Sequence, residues 1–258
     1  MPSTAAKSWI PASESRPQQV QNEVLATLSD SDFAELRPHL RLVALDRNDI
    51  LHDAHRRPTE AYFIESGVIS RLARTSRDGA VEVAMVGRLG FVGISVVLGT
   101  MRTTLRTVVQ VPGTAFRIES DELCRIMRER PSIRDHLLKY VHALIDFEAQ
   151  ISLCNARHGI DQRVARWLLL AQERIGGDLV PVTHGRIASA LGVRRPGVSK
   201  IVADLELREI VEGSRGAVRI VDIDGLRRRA CECHRIVKQG FRIFQDLPHH
   251  RHFVECAR

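Results

Sequence analysis

Long apolar runs are missing from this sequence. No stretch reaches the roughly 18 apolar residues that a bilayer-crossing helix needs, which excludes membrane-spanning helices. The first residues, MPSTAAKSWIPASESRPQQ, lack the apolar core of a secretory leader, so the cytoplasm is the expected compartment. Cysteine is scarce and scattered: Cys124, Cys154, Cys231, Cys233 and Cys256 among 258 residues do not make a disulfide framework. No Cys or His nucleophile has a base and an orienting group at recognisable spacing, so an enzyme is not expected.

Acidic residues are too few to balance the basic ones. The formal net charge is +7 and the pI about 9.6, which favours a polyanionic partner. The excess is concentrated: residues 183–229 hold ten Lys/Arg against six Asp/Glu.

That basic region contains the most organised stretch, Thr183 to Leu207, THGRIASALGVRRPGVSKIVADLEL. Ile187, Ala188 and Leu191 make one apolar face of a short helix, with Thr183 as its N-cap and Gly192 as its C-terminal stop. A second helix follows, with Pro196 in its first turn and Val198, Ile201, Val202 and Leu205 as its inward stripe. Arg194, Arg195, Ser199 and Lys200 are left on the outer side of its N-terminal half, as docking in the DNA major groove requires. Residues 209–221 then read as strand, glycine turn and strand, a wing with Arg215 at its tip. The same helix pair also suits an all-α protein or a winged helix that binds protein, and both readings stay open on the pair alone.

Upstream the texture differs. Residues 1–20 are rich in Pro, Ser, Gln and Ala, which predicts a disordered tail, and Val24 to Leu36 forms an amphipathic segment. From Leu40 to Ile118, short Val/Ile/Phe/Thr runs alternate with glycine-bearing turns, predicting a compact β sandwich or barrel. Ser120 to Arg130 reads as a helix stopped by Pro131, and a long helix spans Ser132 to Ala156. Ile133, Leu137, Tyr140, Leu144, Phe147, Ile151 and Cys154 alternate four and three apart, the seam of a left-handed coiled coil, so these residues are expected at a dimer interface. Leu138, Val141 and Ile145 offer a second apolar face, expected against the β domain. A hinge at residues 155–159 leads to a helix over Asp161 to Ile175.

A last helix is expected from Leu226 to Phe244, ahead of a mobile tail. Cys231-Glu232-Cys233-His234 lies within it, and two thiolates with an imidazole suit zinc or a redox switch. On one helix, however, positions two apart point about 200° from each other. Buried, inert cysteines and no metal site are therefore expected.

Tyr62–Ser70, Gly87–Gly93, Cys154–His158 with Arg163–Trp167, and Leu191–Val198 resemble segments of the bacterial Crp/Fnr transcription regulators, over roughly residues 24–226. The resemblance implies an α+β fold: an N-terminal double-stranded β-helix or jelly-roll sensor domain, a long dimerisation helix and a C-terminal winged helix-turn-helix. The boundaries it implies are a disordered tail at 1–22, a cyclic-nucleotide-binding-like β-roll at 23–130, a dimerisation helix and hinge at 131–158, a DNA-binding domain at 159–226, and a C-terminal helix and tail at 227–258. It also implies a homodimer on palindromic double-stranded DNA, with RNA polymerase as a further partner.

By the same matching, Arg195, Pro196 and Lys200 occupy the positions that touch base edges. Thr183, His184, Arg194, Ser199 and Arg215 complete the expected DNA contacts. Pro196 replaces an acidic residue, so the usual half-site is not expected. Cyclic-nucleotide binders in the family carry a Gly-Glu pair and a later arginine for the cyclic phosphate. Here Gly93 is followed by Ile94, and Arg102 and Arg106 are displaced from the arginine's position. The polar pair facing adenine is matched by Glu148 and Ala149. Cyclic AMP is not expected, the effector is unassigned, and Gly93, Ile94, Arg102, Arg106 and Glu148 are the candidate pocket. Iron–sulfur sensing in the Fnr branch uses cysteines near the N-terminus, and none precedes Cys124 here. A sensor module whose winged helix binds protein is the alternative function.

Overall fold

The computed structural model describes residues 20–75 and 79–246. Most of the expected N-terminal tail and the C-terminal tail with Cys256 lie outside those residues. Asn22, assigned to the tail by its sequence, is instead fully buried. Its Nδ2 donates to the carbonyls of Ile64 (2.9 Å) and Gly90 (2.8 Å), and its Oδ1 accepts from the Leu25 amide at 3.0 Å. A side chain that satisfies three backbone groups inside the protein anchors the chain there.

Asn22 caps α1 (Glu23–Ala26), and Ser29 caps α2 (Asp30–Leu36), so the single amphipathic segment is broken in two. The strands β1 (Arg41–Leu45), β2 (Ile50–His52), β3 (Glu60–Ile64), β4 (Val68–Thr75), β5 (Gly79–Val86) and β6 (Phe91–Val92) follow. After a one-turn helix α3 (Ile94–Val97) come β7 (Arg106–Val111) and β8 (Gly113–Glu119). They form two antiparallel four-stranded sheets, ordered β1-β8-β3-β6 and β2-β7-β4-β5. Alternate residues such as Val43, Leu45, Tyr62, Ile64, Ile69 and Val109 fill the space between the sheets. This is the expected β-roll.

Helix α4 (Ser120–Glu129) closes the roll, and Pro131 opens α5 (Pro131–Arg157) at a position where its missing N–H is harmless. The face that α5 buries corrects the sequence reading. Ile133, Leu137, Tyr140, Leu144, Phe147, Ile151 and Cys154, expected on a second subunit, are all at most 6% exposed within this one chain. They face the roll and the C-terminal helix. Phe91 packs 4.9 Å from Tyr140 between ring centroids, and Gly90 beside it leaves the room that the Tyr140 ring occupies. Each fully buried side chain on this stripe contributes about 1.5–3 kcal/mol relative to exposure, so the chain covers it itself. The face that stays outward carries Ile145 (56% exposed) and Leu153 (50%).

His158 and Gly159 turn the chain into α6 (Ile160–Ile175), ended by Gly176 at φ 80°. The C-terminal unit continues with β9 (Leu179–Val180), α7 (His184–Leu191), α8 (Arg195–Leu207), β10 (Val211–Ser214), β11 (Ala217–Ile220) and α9 (Ile223–Arg229). A separate α10 (Cys233–Asp246) then packs along α5, its Phe241 lying 6.2 Å from Tyr140 and 6.0 Å from Phe147 between ring centroids. The single helix expected over 226–244 is thus two, separated at Ala230–Glu232. Among the described residues no helix is long and apolar enough to cross a membrane.

Candidate nucleic-acid interface

Local chemistry builds the helix pair as the sequence requires. Thr183 Oγ1 accepts from the Arg186 amide at 3.3 Å, capping α7. Gly192 ends α7 in the left-handed region (φ 64°), where a side chain would be strained. Pro196 lies in the first turn of α8. Val198, Val202 and Leu205 are buried, which turns the other side of α8 outward.

Arg194, Arg195, Pro196 and Lys200 are exposed there, and Ser199 is half-buried. His184 and Ser199 meet, Nδ1 to Oγ, at 3.1 Å, which ties the start of α7 to α8. β10 and β11 pair antiparallel, and their turn exposes Arg215 beside Gly216 (φ 87°). The Gly213 amide donates to Glu206 Oε1 at 2.8 Å, so α8 itself holds the wing in place.

The charges divide sharply. Arg208 and Arg229 share Asp204, Arg219 pairs with Asp178, Arg227 with Asp224 and Arg228 with Asp222. Arg194, Arg195, Lys200 and Arg215 form no ion pair among the described residues. Unpaired cations at the outer end of an amphipathic helix and on a wing suit phosphates and base edges.

Residues 162–229 match the Crp-like helix-turn-helix domain. The chain carries a Crp-like helix-turn-helix within a fold shared with solved Crp/Fnr regulators.

Its architecture agrees with solved regulators of that type, and likeness at these identities is likeness of fold. The regulator CLP of Xanthomonas campestris, described as c-di-GMP-responsive, superposes with a TM-score of 0.61 at 13% identity, over 74% of this chain and 99% of that one. FixK2 of Bradyrhizobium japonicum gives 0.61 at 14% identity, over 74% and 98%. A putative cAMP-binding regulatory protein from Silicibacter pomeroyi gives 0.57 at 21% identity, over 82% and 96%. No curated protein sequence matches the chain.

In this chain the winged helix is fastened to the β-roll by contacts that the sequence did not reveal. Trp167 on α6 donates its indole N–H to Glu82 Oε1 on β5 at 2.9 Å, and Ser70 donates to the other carboxylate oxygen. Burial pushes the Glu82 carboxyl up from its ordinary range, against the opposing pull of those hydrogen bonds and of Arg174 and Arg166. Arg174 Nε donates to the Met85 carbonyl at 2.8 Å. Arg186 on α7 reaches Gln110 (3.1 Å) and Asn48 (3.0 Å) on the β-roll.

The candidate effector residues do not converge on a shared partner. Gly93 (φ 135°) caps α3, Ile94 is half-buried behind it, and Arg102 is exposed. Arg106 Nε donates to Asp53 at 2.8 Å, whereas Glu148 pairs with Arg71. A cavity of about 440 Å³ lies elsewhere, between Arg88, Glu173 and Lys238.

The cysteine expectation needs correction. Cys231 and Cys233 do not share a helix: Cys231 precedes α10 and Cys233 is its first residue. Freed from helical geometry, their sulfurs meet Cys154 and His158 at the end of α5, with all four donor atoms within 4.8 Å of one another. Cys154, Cys231 and Cys233 are buried, as expected. His234 stands apart, 3.2 Å from Glu173.

Proposed function

We propose that this regulator binds palindromic duplex DNA as a homodimer, with two α8 helices entering successive major grooves about 34 Å apart. The observation that carries the reading is the division of charge: Arg194, Arg195, Lys200 and Arg215 form no ion pair among the described residues, while Arg208, Arg219, Arg227, Arg228 and Arg229 of the same unit are each paired with an aspartate. Arg195 and Lys200 read base edges, and Arg194, His184 and Arg215 position the domain on phosphates.

Dimerisation in this reading uses the outward face of α5. Leu138, His142, Ile145, Ala149, Ser152 and Ala156 recur four and three apart along it, a coiled-coil spacing on the side opposite the buried stripe. The β-roll sets the position of the winged helix through Glu82–Trp167, Met85–Arg174 and Arg186 with Asn48 and Gln110. An effector acts by changing those contacts, and contact with RNA polymerase follows on DNA. Cyclic AMP is a poor fit, since Arg106 is engaged by Asp53 and Glu148 by Arg71.

The test is selection of bound duplexes from a random pool, followed by a salt titration of the selected site. Binding should fall steeply as salt rises, because neutralised phosphates release counterions. A flat salt response would support instead a winged helix that binds protein.

A further inference from the structure

The end of α5 and the start of α10 bring together residues 77 positions apart in the chain. Cys154 and His158 stand four apart on the last turn of α5 and its cap, so both side chains project from one face. Opposite them, the break after α9 delivers Cys231 and Cys233 from a turn. Cys154 Sγ lies 3.4 Å from Cys231 Sγ, and Cys233 Sγ lies 3.4 Å from His158 Nδ1.

A tetrahedral zinc ion, with Zn–S near 2.3 Å and Zn–N near 2.0 Å, sets its donors about 3.5–3.8 Å apart. The observed separations, from 3.4 Å up to a limit of 4.8 Å, bracket those edges. We propose that Cys154, His158, Cys231 and Cys233 form a single-ion site of the Cys3His type, with zinc as the metal that its donors select.

Two neighbouring features fit that assignment. Three thiolates and a neutral imidazole around a divalent ion leave one net negative charge, and such charge in a buried place needs compensation. Arg166 is 2% exposed and acts on Cys154 electrostatically, and Arg163 acts on both Cys154 and Cys231. The Nε atoms of both arginines are buried with no hydrogen-bond partner among the described residues. Gln150 Nε2 donates to Cys233 Sγ at 3.1 Å, an outer contact that orients a ligand. A disulfide between Cys154 and Cys231 would use two of these groups and leave Cys233 and His158 without a role. All four donors are used by one ion, and a closed set of four protein ligands is structural rather than catalytic.

The site's place in the fold defines its effect. His158 and Gly159 are where the long helix turns into the DNA-binding unit, and α10 returns from that unit to α5. An ion here clamps the hinge from both sides.

The test uses the full-length chain, purified under reducing conditions without chelator. Elemental analysis should find one zinc per chain, lost in Cys154→Ser and Cys233→Ser and kept in Cys124→Ser. Should the serine variants fail to fold, cobalt loaded into the wild-type chain decides: intense tetrahedral d–d bands with thiolate charge transfer support the site, and weak octahedral bands overturn it. A reduced chain that takes up no zinc after refolding in its presence, or full zinc in Cys233→Ser, would also overturn it, and stoichiometric iron would overturn the choice of ion. None of these readings involves DNA, so they stand apart from the DNA-binding test.

Discussion

The indole of Trp167 donates to the carboxylate of Glu82 at 2.9 Å, joining a helix of the winged helix-turn-helix unit to a strand of the β-roll. Burial raises the Glu82 carboxyl above its ordinary 4.5, so the folded chain holds that proton more tightly than the unfolded chain. The resulting stability is present below pH 4.5 and is lost as pH rises through the folded value. Glu82→Gln keeps an acceptor for Trp167 without the charge, and should match or exceed the wild-type Tm at pH 8. Glu82→Ala orphans the Trp167 and Ser70 donors and should cost about 1–3 kcal/mol. Thermal unfolding at pH 5 and pH 8 checks both, and a lower Tm for Glu82→Gln at pH 8 would contradict the account.

Glu173 behaves oppositely. Burial alone would raise its carboxyl, but hydrogen bonds from His234 and Lys238 hold it down at about 2. Its stabilisation is present above the ordinary 4.5 and is lost as pH falls toward 2. Glu173→Gln should flatten the acid limb of the stability curve and cost roughly 1–2 kcal/mol at neutral pH, since Lys238 is partly screened by solvent. Denaturant titrations at pH 3 and pH 7 provide the comparison. An unchanged acid limb would show that the pair contributes nothing.

On DNA, Arg195→Ala and Lys200→Ala should each lose about 1–3 kcal/mol on the selected site and relax its sequence preference. Arg194→Ala and Arg215→Ala should weaken binding to all duplexes alike and reduce the salt slope by about 1. Gel shifts at several salt concentrations separate the two patterns. Unchanged affinity and selectivity in both Arg195→Ala and Lys200→Ala would remove base reading from α8.

The two faces of α5 should respond differently. Ile145→Asp on the outward face should give a folded monomer in sedimentation, with weakened DNA binding. Leu144→Ala on the inward face should lower fold stability by about 2–5 kcal/mol through a core cavity. A dimer that survives Ile145→Asp would place the interface elsewhere.

Features governed by a few neighbouring residues were legible in the sequence. Thr183, Gly192 and Pro196 punctuate α7 and α8 because caps and stops act within one turn, and the alternating strands of the β-roll declared themselves similarly. The meeting of His158 with Cys231 and Cys233 was not legible, because those residues lie more than seventy positions away. The break at Ala230–Glu232 was missed because Leu226 to Phe244 carries no proline to mark it.

The order of elements, the basic excess near the C-terminus and the identity of the helix pair follow from the chain's own pattern, since capping, periodicity and charge are local properties. Which stripe of α5 turns inward, which arginines are left unpaired, and where three sulfurs and an imidazole meet were decided by packing. An apolar stripe looks the same whether its own chain or another covers it. A charge count, likewise, cannot say which cations find a carboxylate after distant segments are brought together.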